Sequence, residues 1–382
     1  MRSPEEFLNP KIAKFTPYSL NSGVDLSKIK IRLDANETFS SLPYFLLEEI
    51  RGLLREVDFN RYPDPNASAL IQKFADYLKA GEDADVDAAN IVAGNGSDEL
   101  LNVIINLFLS KGDKMLVFEP DFSMYAFYGD IIEAQVVRVQ KRKTDLKIDW
   151  KKAGDLIKGG DIKLAVFSNP CNPTGQLEAK DDVRRFIELA RDNGAVVILD
   201  EVYMDFCEGR ESFLKHNGFL EYPNVFIIKS LSKSIGLASL RVGFAISNPA
   251  FVNAVRTVKS PFNVNAVSQK IAETVLSYPE YLSERLQIIK KNKAELQSKL
   301  DNIFEACTGY KIRPTETNFI LIESQKAADI NKMFRHLLRN KILVRNLGKY
   351  LRITSGSAEE NAELSACLAK YVSNVSNRKV LE

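Results

Sequence analysis

The sequence contains almost no histidine. His216 and His336 are the only two histidines in 382 residues, and both lie in polar stretches typical of a surface. A histidine-based zinc site or a Ser-His-Asp triad needs imidazoles that converge with other ligands. We therefore expect no metal site, and we expect any chemistry of this chain to be carried by other residue types.

Paired cysteine, net charge and long apolar runs are also missing. The four cysteines are scattered without a CxxC pair, which is typical of free thiols in a reducing cytoplasm. The 52 basic and 50 acidic residues nearly cancel, so no general field favours nucleic acid or a membrane surface. No apolar run approaches the roughly 18 residues of a membrane span, and the first ten residues do not resemble a leader. We expect a cytoplasmic protein without nucleic-acid or membrane partners.

What the sequence does contain is an alternation of short apolar runs and amphipathic helical segments between about residues 90 and 250. Several runs are apolar at nearly every position, as strands buried on both faces are. The alternation predicts an α/β fold whose mostly parallel, seven-stranded sheet carries helices on both faces. The seven runs are NIVAG, KMLVFEP, AQVVRVQ, KLAVFS, AVVILD, NVFIIKS and RVGFAIS.

The pattern changes after residue 278. A long helical stripe begins near Pro279, and the remainder alternates strand, helix, strand, strand, helix, which predicts a smaller α+β unit. The first forty residues have the character of an arm. We therefore predict an arm over residues 1–40, a large ligand-binding domain over 41–278 and a small C-terminal domain over 279–382.

Polar or aromatic side chains follow five of the predicted strands. Ligands bind at the carboxyl ends of strands in open α/β sheets, so we expect these side chains to share one pocket. They are a helix amino terminus, an aromatic ring, an amide, a carboxylate with a tyrosine, and a lysine between serines. The residues are Ser97, Asp98, Phe122, Asn172, Asp200, Tyr203, Ser230, Ser232 and Lys233, with Arg241 eight positions further.

This combination of groups matches the requirements of pyridoxal phosphate (PLP). The helix amino terminus, the two serines and Arg241 can hold a phosphate, and Phe122 can stack on a flat ring. Asp200 can keep a pyridine nitrogen protonated so that the ring withdraws electrons.

The remaining groups fit the reactive edge of the same cofactor. Asn172 and Tyr203 can donate hydrogen bonds to the ring hydroxyl. Lys233 can supply the amine for the aldehyde, because nearby cations and partial burial lower a lysine pKa.

Eight motifs occur in one order along nearly the whole chain, and together they form a specific signature. Because it contains these motifs in this order, the chain resembles the fold-type I PLP aminotransferases, and within them the histidinol-phosphate aminotransferase branch. The resemblance implies PLP as cofactor, a small-molecule amino donor, a 2-oxo acid acceptor and a homodimer with shared active sites. The motifs are LDANE, NRYPDP, GNGSDE, EPDFSMY, SNPCNPTG, ILDEVYMDF, SLSKSIGLASLRVGF and LRITSG.

The resemblance also implies individual roles. By the resemblance, the catalytic residues are Lys233, Asp200 and Tyr203. Tyr62 becomes the tyrosine that crosses a dimer interface to the cofactor phosphate of the second subunit. For the substrate, the implied residues are Arg352, which grips its anionic group, Arg345 as helper, and Asn36 and Tyr18 in segments that close over it.

Simpler interpretations exist for several of these residues. Lys229 also lies near the serines and is the alternative amine, while Asp200 could cap a helix. Tyr62 could belong to ordinary surface packing and Arg345 could be a solvated charge at a strand end. Cys171 fits a small filler better than a redox thiol.

The favoured reaction is transamination between histidinol phosphate and 2-oxoglutarate, a step of histidine biosynthesis. The alternatives are an aromatic amino-acid aminotransferase, a threonine-phosphate decarboxylase and a PLP-binding regulatory protein. One departure bears on the substrate. After Asn36 and Glu37 the family continues Asn-Pro, whereas this chain has Thr38-Phe39-Ser40-Ser41, which changes the predicted lid.

Overall fold

The computed structural model of the protein describes residues 3–17, 23–82, 84, 86–209 and 212–379. Of the predicted site residues, Tyr18 lies outside the described residues. The strands in this part of the chain are β1 (Ile31–Leu33), β2 (Ile91–Gly94), β3 (Lys114–Glu119), β4 (Gln135–Gln140), β5 (Ile162–Ser168), β6 (Val196–Asp200), β7 (Val225–Ser230), β8 (Gly243–Ile246), β9 (Tyr310–Arg313), β10 (Phe319–Ser324), β11 (Ile342–Leu347) and β12 (Tyr350–Thr354).

Helices connect most of these strands. The α-helices are α1 (Tyr44–Leu53), α2 (Ser68–Glu82), α3 (Ser97–Phe108), α4 (Met124–Ile131), α5 (Trp150–Lys158), α6 (Lys180–Asp192), α7 (Pro249–Val258), α8 (Ala266–Leu276), α9 (Pro279–Phe304), α10 (Ala327–Arg339) and α11 (Ala358–Lys379). Short 3₁₀ segments occupy Pro4–Phe7, Pro10–Lys14, Leu26–Lys28, Ala88–Asn90, Met204–Phe206, Lys215–Glu221 and Ala238–Leu240.

The larger sheet has seven strands in the order β2-β8-β7-β6-β5-β3-β4. All neighbours are parallel except β8, which runs antiparallel to both β2 and β7. The seven predicted runs form these seven strands, and an apolar core lies on each face of the sheet. Strands such as β6 and β7 are buried at every position, which explains their continuous apolar character. The predicted α/β fold class is confirmed.

The smaller sheet has five strands in the order β1-β11-β12-β10-β9. It is antiparallel except for β1, which pairs parallel with β11 in the register Ile31 to Ile342. Its core includes side chains of α9, α10 and α11. The first strand therefore belongs to the same sheet as segments more than 300 residues later, although it falls in the predicted arm. The three-part division of the chain stays a prediction.

Helix α9, which corresponds to the predicted long helical stripe, joins the two sheets. It runs for 26 residues, and Pro279 begins it. Leu286 and Ile289 pack in one core of the seven-stranded sheet, whereas Leu296 and Leu300 pack in the core of the five-stranded sheet. No helix in the described ranges is both long and apolar enough to cross a membrane.

Candidate active site

A cavity of about 460 Å³ opens where β5, β6 and β7 reach their carboxyl ends. The ends of parallel strands and the loops after them lie together at this edge of the sheet. The structure brings twelve of the predicted site residues to this cavity. They are Asn36, Ser97, Asp98, Phe122, Asn172, Asp200, Tyr203, Ser230, Ser232, Lys233, Arg241 and Arg352.

One end of the cavity has the form of an anion cradle. Helix α3 begins at Ser97, directly after Gly96 with φ +85°, and Ser97 and Asp98 in its first turn line the cavity. A Cβ on Gly96 would lie 2.5 Å from Nη2 of Arg241, and a Cβ on Gly243 would lie 2.3 Å from the Ser97 nitrogen. Glycine is required at both positions because the guanidinium and the helix end approach the backbone so closely.

The cradle fits the phosphate of PLP. It combines a helix amino terminus, the buried hydroxyls of Ser230 and Ser232, and the guanidinium of Arg241. Within the described residues, Oδ1 of Asp98 is buried without a hydrogen-bond partner.

Lys233 lines the same cavity. Its Nζ donates a hydrogen bond to the carbonyl oxygen of Ala35 at 2.9 Å. Burial lowers the pKa of Lys233 to about 8. The positive charge of Arg352 acts in the same direction, Glu37 opposes the shift, and Arg241 adds a smaller lowering effect. A lysine with a lowered pKa has a larger neutral fraction at neutral pH, which is the form that attacks a carbonyl carbon.

Lys229, the alternative amine, is engaged elsewhere. Its side chain is buried, with Nζ 3.4 Å from a carboxylate oxygen of Glu201 and 3.9 Å from one of Asp205. It does not line the cavity. The Lys229 amine is thus engaged by carboxylates away from the cavity, so the geometry supports Lys233 as the reactive amine.

Asp200 ends β6 as a buried carboxylate. The hydroxyl of Tyr125 donates to its Oδ2 at 2.7 Å, and the backbone N–H of Val202 donates to Oδ1 at 3.0 Å. Burial raises the pKa of Asp200 to about 6, although these two hydrogen bonds oppose the shift. Tyr203 occupies the N-cap position of the next 3₁₀ segment, and its side chain makes no capping hydrogen bond there. A buried carboxylate of raised proton affinity suits a partner that carries a proton, such as a pyridine nitrogen.

Sequence reasoning missed Tyr125. It follows Phe122 by three positions, and the two rings lie edge to face with centroids 5.5 Å apart. The available signal was the spacing of three in EPDFSMY, which places both side chains on one face of the turn that begins α4.

Two side chains of the cavity wall hold the predicted ring contacts in place. Arg352 donates from Nη1 to Oδ1 of Asn172 and from Nη2 to the carbonyl of Asp34 at 2.8 Å. Asn36 donates from Nδ2 to the hydroxyl of Tyr203 at 2.8 Å. An Asn172 whose oxygen is engaged by Arg352 presents its amide N–H groups as donors, which suits a contact with an oxygen of a bound ligand.

A buried ion pair that the sequence analysis did not identify lies behind this wall. Nζ of Lys141 is 3.1 Å from Oδ2 of Asp121, and both side chains are almost fully buried. The Asp121 carboxylate accepts hydrogen bonds from the Phe122 backbone N–H at 2.8 Å and from the Ser168 hydroxyl, which itself accepts from the Asn172 backbone N–H at 3.0 Å. The pair thus connects the residue expected to stack on the ring with the residue expected to contact its edge.

Cys171 belongs to the same buried cluster. Its Sγ lies 2.9 Å from Nζ of Lys141, and burial raises the pKa of its thiol. A buried thiol of raised pKa is unreactive, which agrees with the predicted role as a small filler.

Two predicted residues lie outside the cavity. Tyr62 is 81% exposed, stacks on Phe262 with centroids 4.6 Å apart, and lines a separate groove of about 610 Å³. Arg345 lines a neighbouring groove of about 1300 Å³, which shares Phe122 and Tyr125 with the cavity.

Arg345 is nevertheless close to Arg352. The two residues are register partners on the antiparallel strands β11 and β12, so both side chains project from the same face. Within the described residues, Nη1 of Arg345 is buried without a hydrogen-bond partner. Two guanidinium groups on one face, one lining the cavity and the other lining the neighbouring groove, are suited to a dianion.

The family model described as "Aminotransferase class I and II" matches residues 28–368. Among curated relatives, a histidinol-phosphate aminotransferase of Clostridium novyi (strain NT) is 36% identical over 369 residues, covering 95% of this chain and 97% of the relative. A histidinol-phosphate aminotransferase of Caldanaerobacter subterraneus subsp. tengcongensis is 34% identical and covers 97% and 99% of the two chains.

Solved structures show the same fold. A histidinol-phosphate aminotransferase of Sinorhizobium meliloti, in complex with pyridoxal-5'-phosphate, matches with a TM-score of 0.83 at 22% identity, covering 97% of this chain and 98% of that one. A double mutant of the Thermus thermophilus aspartate aminotransferase matches with a TM-score of 0.81 at 18% identity, covering 97% and 100%. The shared fold therefore covers 97% of this chain.

Proposed function

The chain belongs to the class I and II aminotransferase family and is a PLP-dependent enzyme, and on that premise we propose that it transfers the amino group of histidinol phosphate to 2-oxoglutarate. The products are imidazole acetol phosphate and glutamate. The observation that carries this proposal is the pair Arg345 and Arg352 on one face beside the cavity of Lys233. The curated relatives named histidinol-phosphate aminotransferase support the same reaction.

The residues of the cavity fit the cofactor in one orientation. The cradle of Ser97, Ser230, Ser232 and Arg241 would hold its phosphate, Asp200 its pyridine nitrogen, and Asn172 with Tyr203 its ring hydroxyl. When bound, PLP would supply an electron sink for the electron pair that remains on Cα of the donor after its proton is removed. Phe122 would stack on the ring and keep it flat against the cavity wall.

Lys233 has two tasks in this scheme. Its neutral amine would hold the cofactor at the aldehyde until the amino donor takes its place. The freed amine would then move the proton from Cα of the donor to C4′ of the cofactor. Its pKa of about 8 suits both directions of transfer, because general bases work best when their pKa lies near the operating pH.

The anion of the donor selects among substrates. A phosphate ester carries nearly two negative charges at neutral pH and can engage both guanidinium groups, whereas one carboxylate satisfies a single bidentate partner. Arg352 is already oriented by Asn172 and Asp34, so it needs little reorganisation to bind an anion.

The proposal extends to the assembly of the enzyme and to its location in the cell. The enzyme acts as a homodimer in which Tyr62 of each subunit reaches the phosphate cradle of the other, and this is supported by an exposed aromatic stack that contributes nothing to its own subunit's cavity. The balanced charge and unpaired thiols support a cytoplasmic place in histidine biosynthesis.

A panel of amino donors with 2-oxoglutarate, scored by glutamate formation, tests the reaction. Histidinol phosphate should be the best donor, and Arg345→Ala should raise its KM more than that of glutamate. The exposed Arg339→Ala is the matched control and should change neither KM. A preference for phenylalanine or tyrosine would replace the proposal with an aromatic aminotransferase. Release of carbon dioxide from threonine phosphate without consumption of 2-oxoglutarate would replace it with a decarboxylase.

A further inference from the structure

Helix α9 contains a buried arginine in an apolar setting. Arg285 is 4% exposed and lies beside Leu282 and Leu286, which are core residues. Within the described part of the chain, no carboxylate forms a salt bridge with it, and burial lowers its pKa. A buried guanidinium is costly unless its N–H groups are bonded, so the acceptors that it finds indicate its role.

These acceptors belong to two loops at the cavity. Nη2 donates to the Thr38 hydroxyl at 2.9 Å and to the Ser40 carbonyl, and Nε donates to the Ser40 hydroxyl at 3.2 Å. Nη1 donates to the carbonyl of Ile235 at 2.8 Å, two residues after Lys233. One side chain therefore ties the segment over the substrate side to the loop of the reactive lysine.

Gly236 allows this close approach. It has φ +73°, and a Cβ there would lie 2.5 Å from both Nη2 of Arg285 and the hydroxyl oxygen of Thr38. Any other residue would separate the two loops or displace the guanidinium. The glycine of the SKSIG motif thus belongs to the same contact as Arg285.

The opposite end of the segment is fixed as well. The carbonyl of Asp34 accepts a hydrogen bond from Arg352, and the backbone N–H of Asn36 donates to the Thr354 hydroxyl at 2.9 Å. Phe39, between the two anchored positions, packs against an apolar cluster of the larger sheet. Residues 34–40 are thus held at both ends, and Ala35 and Asn36 line the cavity.

We propose that Arg285 is a positioning residue that preorganises residues 34–40 as a fixed wall over the amino donor. The altered sequence Thr38–Ser40 supplies the hydroxyl and carbonyl acceptors for its guanidinium. A wall that is ordered before binding removes an ordering cost from substrate binding, so Arg285 acts mainly on KM. This inference rests on the proposed aminotransferase reaction.

The test compares Arg285→Met and Arg285→Lys with a matched control. Arg256→Met removes another arginine that donates to carbonyls, those of Ala88 and Ile91, but Arg256 lies on α7 away from the cavity. We expect Arg285→Met to raise the KM of the donor about tenfold with kcat within about threefold. Arg285→Lys keeps the charge but loses the fork, so a partial effect is expected. Arg256→Met should leave both constants unchanged.

A second measurement does not depend on turnover. Hydrogen exchange of the peptide that contains residues 34–40 should accelerate in Arg285→Met and not in Arg256→Met, in the cofactor-loaded protein. If Arg285→Met fails to fold, Thr38→Val combined with Ser40→Ala removes the side-chain acceptors and should raise KM and exchange in the same direction.

Three outcomes would overturn the inference. One is an unchanged KM and unchanged exchange of the segment at a lowered melting temperature, which is a purely structural role. The second is a fall in kcat with constant KM, which would place the effect on the Lys233 loop alone. The third is unchanged hydrogen exchange of residues 34–40 in Arg285→Met, found together with an enzyme that does not accept histidinol phosphate as donor. Accelerated exchange in a protein that rejects histidinol phosphate would instead retain the wall and discard only the proposed donor.

Discussion

At the scale of single residues, the cavity holds a lysine and a carboxylate whose pKa values are shifted in opposite directions. Burial lowers the pKa of Lys233 to about 8 and raises that of Asp200 to about 6. The lowered pKa gives Lys233 a larger neutral fraction at neutral pH, and the raised pKa gives the Asp200 carboxylate a higher affinity for a partner that carries a proton. Perturbed pairs of this kind are typical of functional sites.

Lys233→Ala should abolish transamination while the fold is retained, because the amine that binds the aldehyde and carries the proton is lost in one change. Glutamate formation and far-ultraviolet circular dichroism measure the two parts. Lys229→Ala is the comparison, and its buried ion pairs predict a loss of stability instead. Near-native turnover of Lys233→Ala without added amine would make Lys229 the reactive residue.

Asp200→Asn should bind PLP but lose most of kcat, because a neutral amide cannot hold the ring nitrogen protonated. In the cofactor-free protein, the same substitution should change how the free energy of unfolding depends on pH. The folded pKa of Asp200, about 6, lies above that of an unfolded aspartate, about 3.9, so the carboxyl's contribution to stability falls as the pH rises through that window. A shift of about two units corresponds to about 3 kcal/mol.

Thermal melts of cofactor-free Asp200→Asn and wild type at pH 4 and pH 7.5 check this prediction. The variant should gain on the wild type at the higher pH. An equal difference at both values would mean that the carboxyl does not titrate between them, and an unchanged kcat would remove Asp200 from catalysis.

At the scale of elements, the Lys141–Asp121 pair joins the ends of three neighbouring strands. Lys141 follows β4, Asp121 follows β3, and Ser168 ends β5. The pair is buried, so its value lies in holding these ends in one arrangement more than in net stability. Phe122 and Asn172 inherit their positions from it.

Lys141→Met should destabilise the protein by about 3–5 kcal/mol, because it leaves the Asp121 carboxylate buried without its cation. Urea unfolding measures this loss. The matched control is Lys114→Met, which breaks an exposed pair with Asp161 and should cost less than about 1 kcal/mol. The double variant Lys141→Met with Asp121→Asn should recover part of the stability. A double variant that is no more stable than Lys141→Met would show that Lys141 and Asp121 are not coupled.

The elements differ in how far the sequence predicts them. The seven strands of the larger sheet were predictable because burial on both faces makes each run apolar throughout, and the residues after them follow from the strand ends. Tyr125, Lys141 and Arg285 were not, because their partners lie 75, 20 and up to 247 positions away. Sequence spacing contains no information on contacts that the packing of separate elements creates.

At the scale of the whole molecule, a cluster of exposed aromatic side chains marks one surface. Phe59 and Tyr62 are 74% and 81% exposed, and Phe262 stacks on Tyr62. Apolar rings on a shared groove are costly to leave in water and suit a self-complementary contact between two copies.

Mixing Tyr62→Phe subunits with Lys233→Ala subunits tests the shared site. A mixed dimer contains one cavity with native Lys233 and native Tyr62 and one with both lesions, so random exchange should restore about a quarter of the sites. Activity should rise above the mean of the two parents after exchange. A monomer by light scattering, or activity equal to that mean, would contradict the dimer.

The parallel pairing of β1 with β11 has a consequence for the order of assembly. The strands of the larger sheet are complete when synthesis reaches Ile246, but Ile31–Leu33 find their partners only when residues 342–344 have been made. Residues 34–40 follow β1 directly, so the wall over the cavity takes its place last. A nascent chain can thus form the phosphate cradle long before it can enclose a substrate, because contacts of long sequence separation form late in folding.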